Sequence, residues 1–259
     1  MQNKTMPVIL LMSFIVLLIF QRCTSRDNDS IPPDSTPEYV CNKIQRDIVL
    51  TGKIDDPFWA KASPVTLVDA ASGKPGRFQT EVRLLYNDTY LYVAFRCEDD
   101  YVWGTVTERD GPVYTEECVE VFVNPASLFH QYYEINVSPK GVIFDASLLN
   151  SRTPENPKAK YIPLWQLNLV DLQIKIFVDG ETDHPGRARG WSAEYAIPFA
   201  ELWGAPNVPP KDGDLWRINF YRIDTPENEQ MEFYAWSVLG IADFHRPWDF
   251  GHLKFKSQD

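Results

Sequence analysis

Alternation of apolar and polar residues dominates the chain from about Tyr39 onward. The stretches TEVRLLYN (80–87), YLYVAFRC (90–97), CVEVFVN (118–124) and QYYEINVS (131–138) are rich in Val, Ile, Tyr, Phe and Trp. So are GVIFDASL (141–148), LQIKIFVD (172–179), GWSAEYAIP (190–198) and DLWRINFYRID (214–224). Most repeat with period two, the spacing of a strand with one buried face. Between them stand Asn87-Asp88, Pro139-Lys140-Gly141, Asp179-Gly180 and Lys211-Asp212-Gly213, all residues that suit tight turns. Helical signals are few. DDPFWAKA permits a turn or two, with Asp56 as cap and Pro57 at the first helical position, and PFAEL (198–202) permits another. The pattern predicts an all-β fold, a single antiparallel two-sheet β-sandwich with one or two short helices. A closed barrel is the alternative.

The alternation also sorts side chains by face. Tyr132, Glu134 and Asn136 share one face of their strand. Arg217, Asn219 and Tyr221 share another, with Trp216, Ile218 and Phe220 opposite, and Glu120 lies opposite Val119 and Val121. Periodicity allows two readings of this polar side. It is a solvated outer face, common in antiparallel sheets, or a platform of carboxylate, amide, guanidinium and phenol for a hydroxyl-rich ligand.

The N-terminus breaks the pattern. Lys4 precedes an apolar run from Val8 to Phe20, short for a bilayer span of about 20 residues but suited to a signal-peptide core. Residues 1–22 therefore read as a signal peptide or lipoprotein-type targeting segment. Cys23 invites lipidation, although Arg22 stands where a small residue is expected. Cleavage after Ser25 and an uncleaved anchor are the competing outcomes. Residues 23–38, rich in Ser, Asp and Pro, read as a flexible tether, and 39–259 as one domain. The predicted location is outside the cytoplasm, at the cell envelope or secreted, with membrane contact only through the N-terminal segment or a lipid on Cys23.

The chain has 259 residues, enough for a sizeable core. Its 25 basic and 36 acidic residues give a net charge of −11. Such a surface repels phosphate backbones, so nucleic acid is excluded as a partner. Cys41, Cys97 and Cys118 fit neither a zinc site nor a disulfide scaffold. They read as buried thiols, with a bridge between Cys97 and Cys118 as the alternative.

Catalytic signatures are missing: there is no G-x-S-x-G, P-loop, dinucleotide fingerprint or H-E-x-x-H. Glu117, Glu120, Glu134 and Asp145 are carboxylates available for glycoside hydrolysis, which needs two at a defined separation. Acidic loops at CEDD (97–100) and DHPGR (183–187) offer oxygens for calcium without an EF-hand pattern. A haem-binding electron-transfer domain would rest on Met231 with a histidine such as His245.

Six segments then carry a resemblance. IVLTGKIDDPFWAKAS, VRLLYNDTYLYVAFRCEDD, YTEECVEVFVNP, GWSAEYAIPFAEL, WRINFYRID and AWSVLGIADFHRPWDFGHLKF, in that order over residues 39–257, resemble the family 9 carbohydrate-binding modules. The resemblance implies an antiparallel β-sandwich without catalytic activity of its own, associated with glycoside hydrolases and polysaccharide breakdown. It implies a sugar clamped between two aromatic rings, which fall here on Tyr114, six residues before Glu120, and on Phe244. Hydroxyl-contacting positions of the family fall on Glu120, on Glu134 and Asn136, and on Tyr221. The chain departs from the family in having Tyr and Phe where the characterised clamp has two tryptophans. It also has Glu134 in place of an arginine and Tyr221 in place of a glutamine. The implied partners are mono- or oligosaccharides or polysaccharide ends. No cofactor is implied beyond the structural calcium held by some members, whose ligands match no residue set here. The metal ligands are therefore unknown. An interaction scaffold that has lost sugar binding is the alternative.

Overall fold

A computed structural model describes residues 36–166, 168–227 and 229–257. The expected targeting segment, Cys23 and most of the expected tether lie outside the described residues. Among the described residues fourteen strands carry the fold. The first five are β1 (Glu38–Lys43), β2 (Val65–Thr66), β3 (Val68–Asp69), β4 (Thr80–Tyr86) and β5 (Tyr90–Glu98). Then come β6 (Cys118–Asn124), β7 (Gln131–Val137), β8 (Ile143–Asn150), β9 (Tyr161–Leu164) and β10 (Gln173–Gly180). The last four are β11 (Ala188–Pro198), β12 (Leu215–Asp224), β13 (Glu232–Ala235) and β14 (Gly251–Lys256). All eight strands expected from alternation form. The turn between β4 and β5 is held as its sequence suggests, with Asn87 Oδ1 accepting from the backbone N–H groups of Thr89 and Tyr90, each at 2.8 Å.

The strands run in the order β10-β11-β5-β4-β1-β14-β12-β6-β7-β8-β9, one hydrogen-bonded path that does not close into a barrel. Its two halves pack on each other as a sandwich, because both have an apolar face to hide. Val93, Phe95, Tyr195 and Ile197 from one half share a core with Val121, Ile135, Trp216 and Phe220 from the other. Phe95 meets Phe220 edge-on at 6.1 Å, and the Tyr195 hydroxyl donates across the layers to the Val119 carbonyl at 3.1 Å. Burying each such side chain stabilises the fold by roughly 1.5–3 kcal/mol.

Two details differ from expectation. β1 pairs in parallel with both β14 and β4, so the sandwich is not purely antiparallel. A strand bridging two halves of a folded path takes the direction its neighbours leave, and no hairpin constrains it. In place of one or two short helices, the described residues contain four 3-10 turns, at Pro57–Lys61, Val113–Thr115, Phe199–Glu201 and Pro247–Asp249. Asp56 caps the first, accepting from the Phe58 N–H at 2.9 Å.

The polar faces are not solvated. Outside the β12-β6-β7-β8 half, Phe122, Tyr132, Phe144, Tyr221 and Phe250 form a second apolar cluster, covered by Val113, Leu239 and Phe244 from the connecting loops. Asn136 and Asn219 are fully buried beside it. A third cluster lies outside the β5-β11 half, where Ile44, Ile48 and Trp59 cover Leu85, Tyr92 and Ala196. Cys41, Cys97 and Cys118 are free, buried thiols. Cys97 lies in the main core and Cys118 in the second cluster, so the bridge between them does not form.

Candidate functional site

The outer face of β6 and β7 forms a floor. Their antiparallel register sets Glu120 opposite Asn136 and Phe122 opposite Glu134, which makes Glu120 and Glu134 diagonal neighbours on one face. Above them opens a cleft of about 520 Å³. Phe122 lies in the floor with the two glutamates, and Tyr114, Phe144, Tyr161, Trp165, Phe233 and Phe244 line the walls. Asp243 and His245 complete the rim on the side of the late loop.

Of the six residues expected from the sequence, four line this cleft. Tyr114 sits in the Val113–Thr115 turn, 39% exposed, with its ring edge-on to Phe144 at 5.3 Å. Glu120 and Glu134 form the floor, at 1% and 6% exposure. Phe244 faces the cleft but is held from behind, stacked on Tyr221 at 4.0 Å and nearly parallel to it. The other two stand behind the lining. The Tyr221 hydroxyl donates to the Phe244 carbonyl at 3.2 Å, and Asn136 Nδ2 donates to Glu134 Oε1 at 2.8 Å.

Sequence reasoning missed the rest of the lining. Tyr161 and Trp165 flank Pro163, which interrupts the alternation of YIPLW. They lie on or just after β9, the last strand of the path, where a residue without an N–H is tolerated. Trp165 is 47% exposed, and an exposed tryptophan beside a strand was the available signal. Phe144 alternates with Ala146 and Leu148 on β8, a pattern indistinguishable from core. His245 neighbours Phe244 in the late loop. Its ring stacks on Tyr161 at 4.0 Å, and its Nδ1 shares a hydrogen bond with the Tyr132 hydroxyl at 2.8 Å.

The electrostatics of the floor are one-sided. Glu120 accepts from the Cys118 thiol at 3.4 Å, a weak donor. Burial pushes the Glu120 carboxyl well above its ordinary range, and the neighbouring Glu134 pushes it further. Burial lifts Glu134 to about 7, opposed by the Asn136 hydrogen bond. Among the described residues no cation pairs with either group. Arg152 is held by Asp243 through two hydrogen bonds of 3.0 and 3.1 Å and lies over the Tyr161 ring. Burial lowers His245 to about 4, leaving it neutral at pH 7.

Other candidate chemistry is arranged differently. Asp99, Glu117 and Asp224 place carboxylate oxygens within 4.8 Å of one another, a spacing that suits a shared cation. The Arg222 guanidinium already serves them, 2.7 Å from Asp99, 3.4 Å from Glu117 and 3.3 Å from Asp224. An added calcium ion would meet that charge, so the set does not fit a divalent metal. Asp145 is tied to Arg109 and accepts from the Leu169 N–H at 2.6 Å. Glu120 and Glu134 rise from the same floor, whereas hydrolysis needs carboxyl groups on either side of the scissile bond. Met231 and His245 line different cavities.

Comparison with known proteins fits this picture. A proposed carbohydrate-binding protein from Bacteroides uniformis superposes with a TM-score of 0.66 at 18% identity, covering 86% of this chain and all of that one. A family 9 carbohydrate-binding module from Caldicellulosiruptor kristjanssonii, solved with cellotriose, superposes with a TM-score of 0.59 at 13% identity, covering 86% and 95%. Such low identities establish the fold. An extracellular protein from Arthroderma benhamiae is 26% identical over 175 residues, 64% of this chain and 74% of that protein. The sequence profile of carbohydrate-binding family 9 matches residues 65–255, which span the floor, both candidate clamp rings and most strands of the sandwich. This chain belongs to carbohydrate-binding family 9.

Proposed function

We propose that the cleft over Glu120 and Glu134 is the saccharide site, and that the protein holds sugar without transforming it. The observation that carries this reading is a ring of aromatic side chains around two buried carboxylates with unused acceptor capacity. A pyranose has an apolar C–H face and an equator of hydroxyls. Tyr114, Trp165 and Phe244 offer planes for the first, and Glu120 and Glu134 accept from the second. Asn136 and Tyr221 act from behind, fixing Glu134 and Phe244. No proton transfer is required of either glutamate. The structures solved with cellotriose and glucose are of family 9 modules from Caldicellulosiruptor kristjanssonii; they support a sugar ligand here without naming it.

Export belongs to the same reading. The targeting pattern of residues 1–22 and the extracellular relative both favour action outside the cytoplasm, near enzymes that degrade glycans. Among the described residues no helix is long and apolar enough to cross a membrane.

Calorimetric titration of the full chain with glucose, cellotriose and a wider saccharide panel tests the reading. Saturable binding is expected, weakened by about 1 kcal/mol or more in Tyr114→Ala and in Trp165→Ala, the scale of an aromatic contact. Binding untouched by both substitutions would move the site elsewhere. A folded protein that binds no sugar would point to an interaction scaffold instead.

A further inference from the structure

Resting on that saccharide reading, we propose that the sugar preferred by this cleft carries a free amino group, as in a terminal 2-amino-2-deoxyhexose. Buried carboxylates are ordinarily paired with a cation or saturated with donors. Elsewhere in this protein they are. Glu194, fully buried, accepts from Thr51 N at 2.9 Å, Gly52 N at 2.6 Å and Trp59 Nε1 at 2.7 Å. Glu117 accepts from Trp191 Nε1 at 2.6 Å and lies against Arg222. Glu120 and Glu134 have between them one thiol and one amide. Both open into a cleft, and among the described residues neither has a cationic partner, since Arg152 is consumed by Asp243.

The walls fit the same ligand. A cation over an aromatic face is attracted by the ring quadrupole, and rings grouped around a site can cage an ammonium. Tyr114, Phe144, Tyr161, Trp165, Phe233 and Phe244 surround the floor. A sugar ammonium resting on Glu120 and Glu134 would supply the positive charge that the protein leaves out, while its ring stacks on the walls. A neutral hexose offers the carboxylates hydroxyl donors only, and an N-acetylated one replaces the charge with a bulkier amide.

The test is calorimetric titration of the full chain at pH 7 with D-glucosamine, D-glucose, N-acetyl-D-glucosamine and ethanolamine, repeated with Glu120→Gln and Glu134→Gln. Thermal melts run alongside show that each variant is folded. The expected result is at least a tenfold preference for glucosamine over glucose and N-acetylglucosamine, falling to near parity in either variant. Glucose or N-acetylglucosamine binding as tightly as glucosamine would overturn the amine preference and leave the saccharide site standing. A preference that survives both substitutions would overturn its assignment to these carboxylates. Ethanolamine binding as tightly as glucosamine would show that an amine is read without a sugar and would overturn the proposal. Binding of none of the four by a protein that does bind other saccharides would overturn the amine proposal alone. Failure with every sugar would remove the saccharide reading as well.

Discussion

Two buried acidic centres lie on opposite faces of β6 and β12, and they are built to opposite ends. At the first, Arg222 shares the inward face of β12 with Trp216, Ile218 and Phe220 and reaches across the sandwich. It donates to the Glu98 carbonyl at 2.8 Å and to Thr80 Oγ1 at 3.2 Å while pairing with Asp99, Glu117 and Asp224. At the second, Glu120 and Glu134 face outward under a cleft with a thiol and an amide for company. Both centres bury carboxylates, but only the first supplies their partners from within the chain. Saturated charge fastens two layers together. Unsaturated acceptors facing an opening are a place for a ligand.

The largest effect should come from removing the partner at the saturated centre. Arg222→Met leaves three buried carboxylates without a cation and should destabilise the fold by about 3–5 kcal/mol in denaturant titration at pH 7.5. The loss should shrink near pH 5, because burial holds Glu117 high and lifts Asp224 to about 6, so protonation removes the uncompensated charge. A loss under about 1 kcal/mol would mean that the guanidinium is not what holds this centre.

Glu194→Ala comes next. It orphans two backbone N–H groups and the Trp59 indole N–H, and should cost about 3 kcal/mol of stability. Sugar affinity measured on the folded fraction should not change, since Glu194 lies in the other half of the sandwich.

Acidity sharpens the contrast at the cleft. Glu134 is lifted from 4.5 to about 7 by burial, so between those values the native state binds more protons than the unfolded chain. Its contribution therefore favours folding below about pH 4.5 and is lost as pH rises through 7. His245, lowered to about 4, works in the reverse direction as pH falls from 6.5, which masks the effect in the wild type alone. Comparison with Glu134→Gln isolates it. Relative to that variant, wild-type stability should fall by roughly 2 kcal/mol between pH 5 and pH 8. A pH-independent difference would place Glu134 in contact with water.

The smallest expected effect belongs to the exposed ring. Tyr114→Ala should lower sugar affinity by about 1 kcal/mol and leave thermal stability nearly unchanged, because the ring contributes one edge-on contact to Phe144. Phe244→Ala is a poorer probe. Its ring is 8% exposed and stacked on Tyr221, so the substitution would disturb packing and binding together.

The strands were legible because period-two alternation is a local property, and all eight expected from it are present. Tyr114, Glu120, Glu134 and Phe244 were legible only through the family resemblance, since Glu120 on its strand has the same spacing as any solvated carboxylate. Whether a polar face is wet or covered depends on segments far away in sequence. Val113, Leu239 and Phe244 pack with Phe122, Tyr132 and Tyr221 in a way that no strand announces. Pro163 hid Tyr161 and Trp165 by breaking the strand pattern at an edge that tolerates proline. Arg222 left a trace that could have been used. It is a charge in register with Trp216, Ile218 and Phe220, and a charge on an inward face requires buried partners.

The most direct test measures stability and sugar binding on the same samples of Glu120→Gln and wild type. The predicted result is a melting temperature equal to or above that of wild type, because the buried Glu120 carboxyl has only the Cys118 thiol as partner and an amide of the same shape costs the fold nothing, together with a loss of affinity of about 1–3 kcal/mol for the best-bound saccharide. A variant that melts several degrees lower and binds sugar with undiminished affinity would contradict the account, showing that Glu120 serves the fold and that the ligand site lies elsewhere.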